Sequence, residues 1–266
     1  MKRLGTVLLS LCMLGSVSLI HAQQQRLYAV VDYMNVPDEK SEQDYIAIEK
    51  LWQRIHQKAC DAGICRGWYL ERVENGGRNH FATIRVYDSL DKIAGPWPDS
   101  LIKGLFTSQE ESQMNQTAQV RHLTHSELWE IEASAIKKLE GESKHYAIVN
   151  FMKPKPGKDA EYYKTEKEIF TKIHKAYVDA GAMEGWHFMS RMFPSGYDAE
   201  YDFITADVFS DKAASEKQQD QKIAENALSK DEAATAMKVL ELRTVVRREF
   251  WSQVLRVVPS KEQAKK

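Results

Sequence analysis

An α+β fold made of two copies of one β-α-β-β-α-β module is predicted by three observations. The chain repeats itself, each copy alternates strand-like and helix-like periods, and both copies carry the same helix-start signal near their end. The repeat opens on Tyr28-Ala29-Val30-Val31-Asp32-Tyr33-Met34, which returns as Tyr146-Ala147-Ile148-Val149-Asn150-Phe151-Met152. The separation is 118 residues (Tyr28 to Tyr146), and it pairs Tyr45 with Tyr163, Trp52 with Phe170, His56 with His174 and Gly67-Trp68 with Gly185-Trp186. After extra residues around Pro194-Ser195-Gly196 it becomes 122 and pairs Phe81 with Phe203, Thr83 with Thr205, Arg121 with Arg243, Glu127 with Glu249 and Trp129 with Trp251.

Each element follows from local chemistry. Residues 27–36 and 145–153 alternate in strand-favouring residues and predict a first strand. Residues 40–61 and 158–179 place apolar side chains at helical spacing and predict a helix. Gly63 and Gly181 follow where a helix end wants a left-handed residue. Residues 67–74 and 185–192 read as a second strand, and 80–87 and 202–209 as a third, with hairpin chemistry at Glu74-Asn75-Gly76-Gly77. Thr107-Ser108-Gln109-Glu110 and Ser229-Lys230-Asp231-Glu232 are both capping boxes. Final strands are expected at 120–131 and 242–255.

The ends set the organisation. Met1-Lys2-Arg3, an uncharged apolar run from Leu4 to Ile20 and the small Ala22 form a signal-peptide pattern over 1–22. Residues 23–136 are the first repeat, 137–144 a polar linker, 145–258 the second repeat and 259–266 a polar tail. The expected protein is exported, periplasmic or secreted, and soluble once the signal is removed. With 37 basic and 38 acidic residues no basic stripe dominates, so nucleic acid is not an expected partner.

The β-α-β-β-α-β order is that of the ferredoxin-like split unit. A tandem pair of such units, each with Gly-Trp opening its second strand, resembles the dimeric α/β-barrel superfamily, over 27–131 and 145–255. That group includes antibiotic-biosynthesis-type and haem-degrading monooxygenases and stress-responsive barrel proteins. The resemblance implies that the two sheets close on each other as an intramolecular pseudo-dimeric barrel in a monomer, with a pocket between sheet and helices. It also implies, for Asn150 with His56 and His174, a candidate role in cofactor-independent oxygen chemistry, or for a histidine an axial position on haem. Residues 211–242 hold no histidine, so the haem-degrading set is incomplete.

Two stripes could line a pocket. Tyr45, Trp52 and His56 lie two and three turns apart on one helix, and Tyr163, Phe170 and His174 repeat them. Arg121, Glu127 and Trp129, with Arg243, Glu249 and Trp251, are spaced by even numbers and are expected on one strand face. The first stripe reads as a packed helix face whose histidine bonds a neighbour, or as a ligand wall. The second reads as an anion holder with a proton acceptor, or as a salt-bridge network across the seam. Cys60 and Cys65 flank the helix-end turn, and an exported chain meets an oxidising compartment, so a Cys60–Cys65 disulfide is predicted. No histidine or cysteine spacing predicts a metal site. The expected function is the binding of a small apolar or aromatic ligand. The alternatives are a monooxygenase-type enzyme and a structural or partner-binding protein whose pockets are filled by its own side chains.

Overall fold

Strand-favouring alternation and amphipathic helices produce eight strands with helices between them. In the computed structural model, which describes residues 26–74, 79–137, 144–196, 198–216 and 220–260, the first half runs β1 (Leu27–Asn35), α1 (Glu42–Asp61), β2 (Gly67–Val73), β3 (Phe81–Tyr87), α2 (Leu90–Ala94), α3 (Ser108–Met114), α4 (Thr117–Val120) and β4 (His122–Ile136). The second runs β5 (Tyr146–Pro154), α5 (Asp159–Thr165), a π turn (Glu166–Phe170), α6 (Thr171–Asp179), β6 (Gly185–Phe193), β7 (Phe203–Phe209), α7 (Lys212–Glu216), α8 (Gln221–Ala227), α9 (Lys230–Met237), α10 (Val239–Leu242) and β8 (Arg243–Val257). Thr107 and Ser229 close the two predicted capping boxes with Glu110 and Glu232. Gly63 and Gly181 hold φ of 72° and 71°. The predicted signal at 1–22, the turn residues 75–77, most of the linker and residues 261–266 of the tail lie outside the described residues.

The eight strands form one closed antiparallel barrel in the order β1-β3-β2-β8-β5-β7-β6-β4. Within each half the first strand pairs with the third and the last, and the seams β2–β8 and β4–β6 join the halves. Closure leaves no unpaired sheet edge. It also lengthens the last strands beyond expectation. β4 continues to Ile136 because Ala133–Ile136 pair with Phe188–Gly185 across the seam.

Three apolar groups hold the barrel. One lies in the lumen, with Val31, Tyr33, Trp129, Val149, Phe151, Ile204 and Trp251. The others lie between the outer sheet face and the helices, around Tyr45, Trp68 and Phe81 in the first half and around Tyr162, Trp186 and Phe188 in the second. Each such side chain contributes about 1.5–3 kcal/mol by leaving water.

Two irregularities correct the sequence reading. β4 skips Thr124 between the Tyr33–His125 and Met34–Leu123 pairs, and β8 skips Val246 in the same way. A bulge of one residue swaps the faces on either side of it. Arg121 and Arg243 therefore serve the helix side of the sheet, whereas Glu127, Trp129, Glu249 and Trp251 serve the lumen; they do not share one face. The second correction concerns Tyr163. The π turn absorbs one extra residue, so the counterpart of Tyr45 is Tyr162, and the two are equally buried at 0% exposure.

Candidate functional site

The first-half helix layer is built around a histidine on a tryptophan. Ser41 and Asp44 cap α1 reciprocally, and its inward face carries Tyr45, Glu49, Ile55 and His56. At its end Gly63 turns the chain, and the Cys60–Cys65 disulfide closes the turn with Cα atoms 4.6 Å apart. Four residues before the first cysteine and three after the second stand His56 and Trp68, stacked with centroids 4.8 Å apart and planes 11° from parallel. Trp97, from the Gly95-Pro96-Trp97-Pro98 break, stands perpendicular to the imidazole at 5.1 Å.

A cavity of about 330 Å³ opens here between α1 and the sheet, lined by Asp32, Met34, Glu49, Trp52, His56, Trp68, Thr83, Arg85, Trp97 and Arg121. Its charges are internally matched. Arg85 binds Asp32 at 2.7 Å, and Ser126 donates to the other Asp32 oxygen at 2.5 Å. Arg121 pairs with Glu49 and lies over the Trp52 ring at 5.5 Å, while the Trp52 indole N–H donates to Thr117 at 3.3 Å. Burial pushes the Glu49 carboxyl up to about 7 against the pull of Arg121. Burial, with Arg85 and Arg121 adding to it, brings His56 down to about 3. Its imidazole is thus neutral at pH 7, and the buried Nδ1 has no hydrogen-bond partner.

The second half reuses the framework with different polar groups. Tyr162, Glu166 and Arg243 stand as Tyr45, Glu49 and Arg121 do, with Arg243 Nε 3.7 Å from Glu166. His174 stacks on Trp186 at 4.4 Å, and Phe170 lies at 6.1 Å from it. His174 Nδ1 contacts the Phe170 carbonyl at 2.7 Å, and Nε2 lies 3.5 Å from Asp207. Asn150 donates to Thr205 and Asp207 at 3.2 and 3.3 Å and accepts from Arg248 at 2.7 Å. Every polar atom of the Asn150 side chain is thereby engaged. Tyr163 donates to Glu132 at 2.6 Å and receives Lys167, so it belongs to an ion cluster over β4 and not to a cavity with His174.

Of the predicted residues, the structure brings Trp52, His56 and Arg121 to one cavity and Tyr45 beneath it. Glu127, Trp129, Glu249 and Trp251 sit apart in the lumen, where Glu127 accepts from Tyr201 at 2.7 Å and Glu249 from the Trp251 indole at 2.8 Å. Sequence reasoning missed Glu49, Thr83, Arg85 and Trp97 as lining residues. A periodicity signal existed for Glu49, one turn from Tyr45. Among the described residues no group of histidine, cysteine and carboxylate side chains could hold a metal ion.

A haem on His56 does not fit the residues as placed. One imidazole face is covered by Trp68, Nδ1 is buried, and the cavity lies at the lower end of the roughly 300–1,000 Å³ of small-molecule sites.

Among solved structures, the chain shares its fold with a proposed monooxygenase from Fusobacterium nucleatum at 12% identity and a TM-score of 0.57, over 88% of this chain and 94% of that one. It shares it also with a proposed monooxygenase from Lactobacillus acidophilus at 12% identity and a TM-score of 0.52, over 88% and 97%. No family model and no curated protein matches the sequence.

Proposed function

We propose that the protein binds a small, neutral, planar aromatic molecule in the cavity between α1 and the first-half sheet. One observation carries this reading: Trp52, Trp68 and Trp97 line the cavity together with His56, a neutral imidazole with an unpartnered nitrogen. Aromatic rings stack favourably on such walls. Arg85 is paired with Asp32, and Arg121 is offset by Glu49 in part at pH 7 and fully above it, so the cavity offers an anionic ring less than one net positive charge. An imidazole titrating near 3 is also a poor base at neutral pH, which favours binding over proton abstraction. The test is quenching of tryptophan fluorescence by 2-naphthol against 2-naphthoate. The neutral probe binds more tightly, and Trp97→Ala or His56→Ala weakens it at least tenfold. No saturable quenching by either probe overturns the proposal.

The same reading takes the chain as a tandem duplication of ferredoxin-like units, exported under the direction of 1–22, that forms its barrel within one monomer. The equal strand pairings of the two halves support the duplication. Light scattering on the purified protein tests the monomer.

A monooxygenase-type enzyme is the second reading. What favours it is His174, held by the Phe170 carbonyl and facing Asp207, in a fold shared with proposed monooxygenases. It requires oxygen uptake on addition of 2-naphthol, lost in His174→Ala. Uptake that needs added haem would return the haem alternative.

A further inference from the structure

The barrel lumen holds a second group of buried polar side chains, separate from the helix–sheet cavity. Glu127 and Trp129 of β4, Tyr33 of β1 and Arg191 of β6 meet there with Tyr201, which precedes β7. Arg191 is next to Trp129 in the β4–β6 register, and its guanidinium lies 4.6 Å over the Tyr201 ring. Its Nη1 donates to Glu127 Oε1 at 3.2 Å, an oxygen that also accepts from Tyr201.

The remaining edge of that guanidinium is idle. Arg191 Nε and Nη2 are buried and find no hydrogen-bond partner, although the side chain is only 7% exposed. These two N–H groups form the fork that matches a planar oxyanion with two parallel hydrogen bonds. Arg247, the other lumen arginine, differs in that a carboxylate stands beside its buried Nε, with Glu249 at 2.7 Å. The Trp129 indole N–H is buried and unpartnered, and the Tyr33 hydroxyl lies against the Glu127 carboxylate. A buried charged group whose donors stay unmade loses the hydrogen bonds it had in water, so a partner is expected. At this end of the lumen the exposed His125 stacks on Tyr33 at 4.4 Å, next to solvent.

We propose that the Nε–Nη2 edge of Arg191 is a binding site for a small planar oxyanion of the carboxylate type, at the end of the lumen where His125 is exposed. The guanidinium supplies the bidentate contact, and Tyr33 and Trp129 are the additional donors. Ordered water is the competing occupant, since it too can satisfy buried donors.

Formate is the probe, added to the full chain at constant ionic strength with chloride as the balancing salt. Thermal unfolding and the ¹⁵N–¹H signals of the arginine Nε groups are the readouts. Formate raises Tm saturably above the chloride control and moves one buried Nε–H signal. Arg191→Lys, which keeps the charge and loses the fork, weakens formate at least tenfold and removes that signal. Tyr33→Phe weakens it about threefold and serves if the lysine variant does not fold. Arg85→Gln, which alters only the helix–sheet cavity, leaves the response intact and so separates this site from that one. The proposal is overturned by no saturable response in the native protein, by chloride acting as well as formate, or by unchanged affinity in the Arg191 and Tyr33 variants, any of which leaves water alone at the fork.

Discussion

Arg85 and Asp207 occupy corresponding places in the two halves and carry opposite charge. Arg85 is in register with Trp68 and Asp207 with Trp186, so each faces the histidine stacked on that tryptophan. The exchange decides the character of each histidine layer. In the first half the guanidinium turns to Asp32 and adds to the forces that keep His56 neutral. In the second half a carboxylate stands 3.5 Å from His174 Nε2.

His56 should therefore show no protonation step between pH 5 and 8. Its folded pKa of about 3 lies below the ordinary 6.5, so the unfolded chain takes up the proton first. The stability tied to His56 is complete above pH 6.5 and is lost as the pH falls from there toward 3. Ring ¹H–¹³C spectra from pH 4 to 8 check the neutral state. A midpoint above 6 would contradict the desolvated geometry. His56→Gln should flatten the corresponding acid limb of the stability profile.

Arg121→Met should destabilise the fold by about 3–5 kcal/mol at pH 8, because it strands the Glu49 carboxylate in a site where Glu49 is 1% exposed. The loss should shrink at pH 5, where Glu49, pushed up to about 7 with the arginine present, is protonated. Adding Glu49→Gln should restore most of it at pH 8. Urea unfolding of the single and double variants at both pH values measures these differences.

The Cys60–Cys65 bridge closes a short loop, for which chain entropy gives about 2 kcal/mol. Both cysteines are 1% exposed, and the counterpart positions hold the buried apolar Val178 and Met183. Cys60→Val with Cys65→Met should therefore fold, with a loss below that figure because the new side chains refill the space. Alkylation of the unreduced protein unfolded in guanidinium, followed by mass spectrometry, should leave the peptide with residues 60–65 unmodified. Two modified thiols there would refute the bridge.

Much of this architecture was legible because it is written in short periods. The strand alternation, the capping boxes at Thr107 and Ser229 and the helix-ending Gly63 and Gly181 are local signals, and the structure carries each of them. The site was legible only in part. Even spacing from Arg121 to Trp129 suggests one face, but the skipped Thr124 lies between them, and a bulge leaves no mark in composition. The π turn likewise hides the match of Tyr45 to Tyr162 behind a neighbouring tyrosine. Arg85, Trp97 and Arg191 reach their sites through pairing and loop placement that only the closed barrel defines.

Glu71 gives the pH dependence of opposite sign. It lies buried beside Gln253, whose amide is 3.5 Å away, and desolvation pushes its carboxyl up to about 8. At pH 7 it is therefore mainly neutral in the fold and charged in the unfolded chain, whose ordinary value is near 4.3. Between those two values the folded state holds the extra proton, so stability falls as the pH rises from about 4.3 through 8. Glu71→Gln removes a titrating group while keeping its shape and hydrogen-bonding capacity. The variant and the native protein should unfold at similar urea concentrations at pH 4. At pH 9 the variant should be more stable, by a few kcal/mol on the scale of about 1.4 kcal/mol per pKa unit. An equal difference at both pH values would mean that Glu71 is ionised throughout, with a cation or water reaching it from the β2–β8 seam.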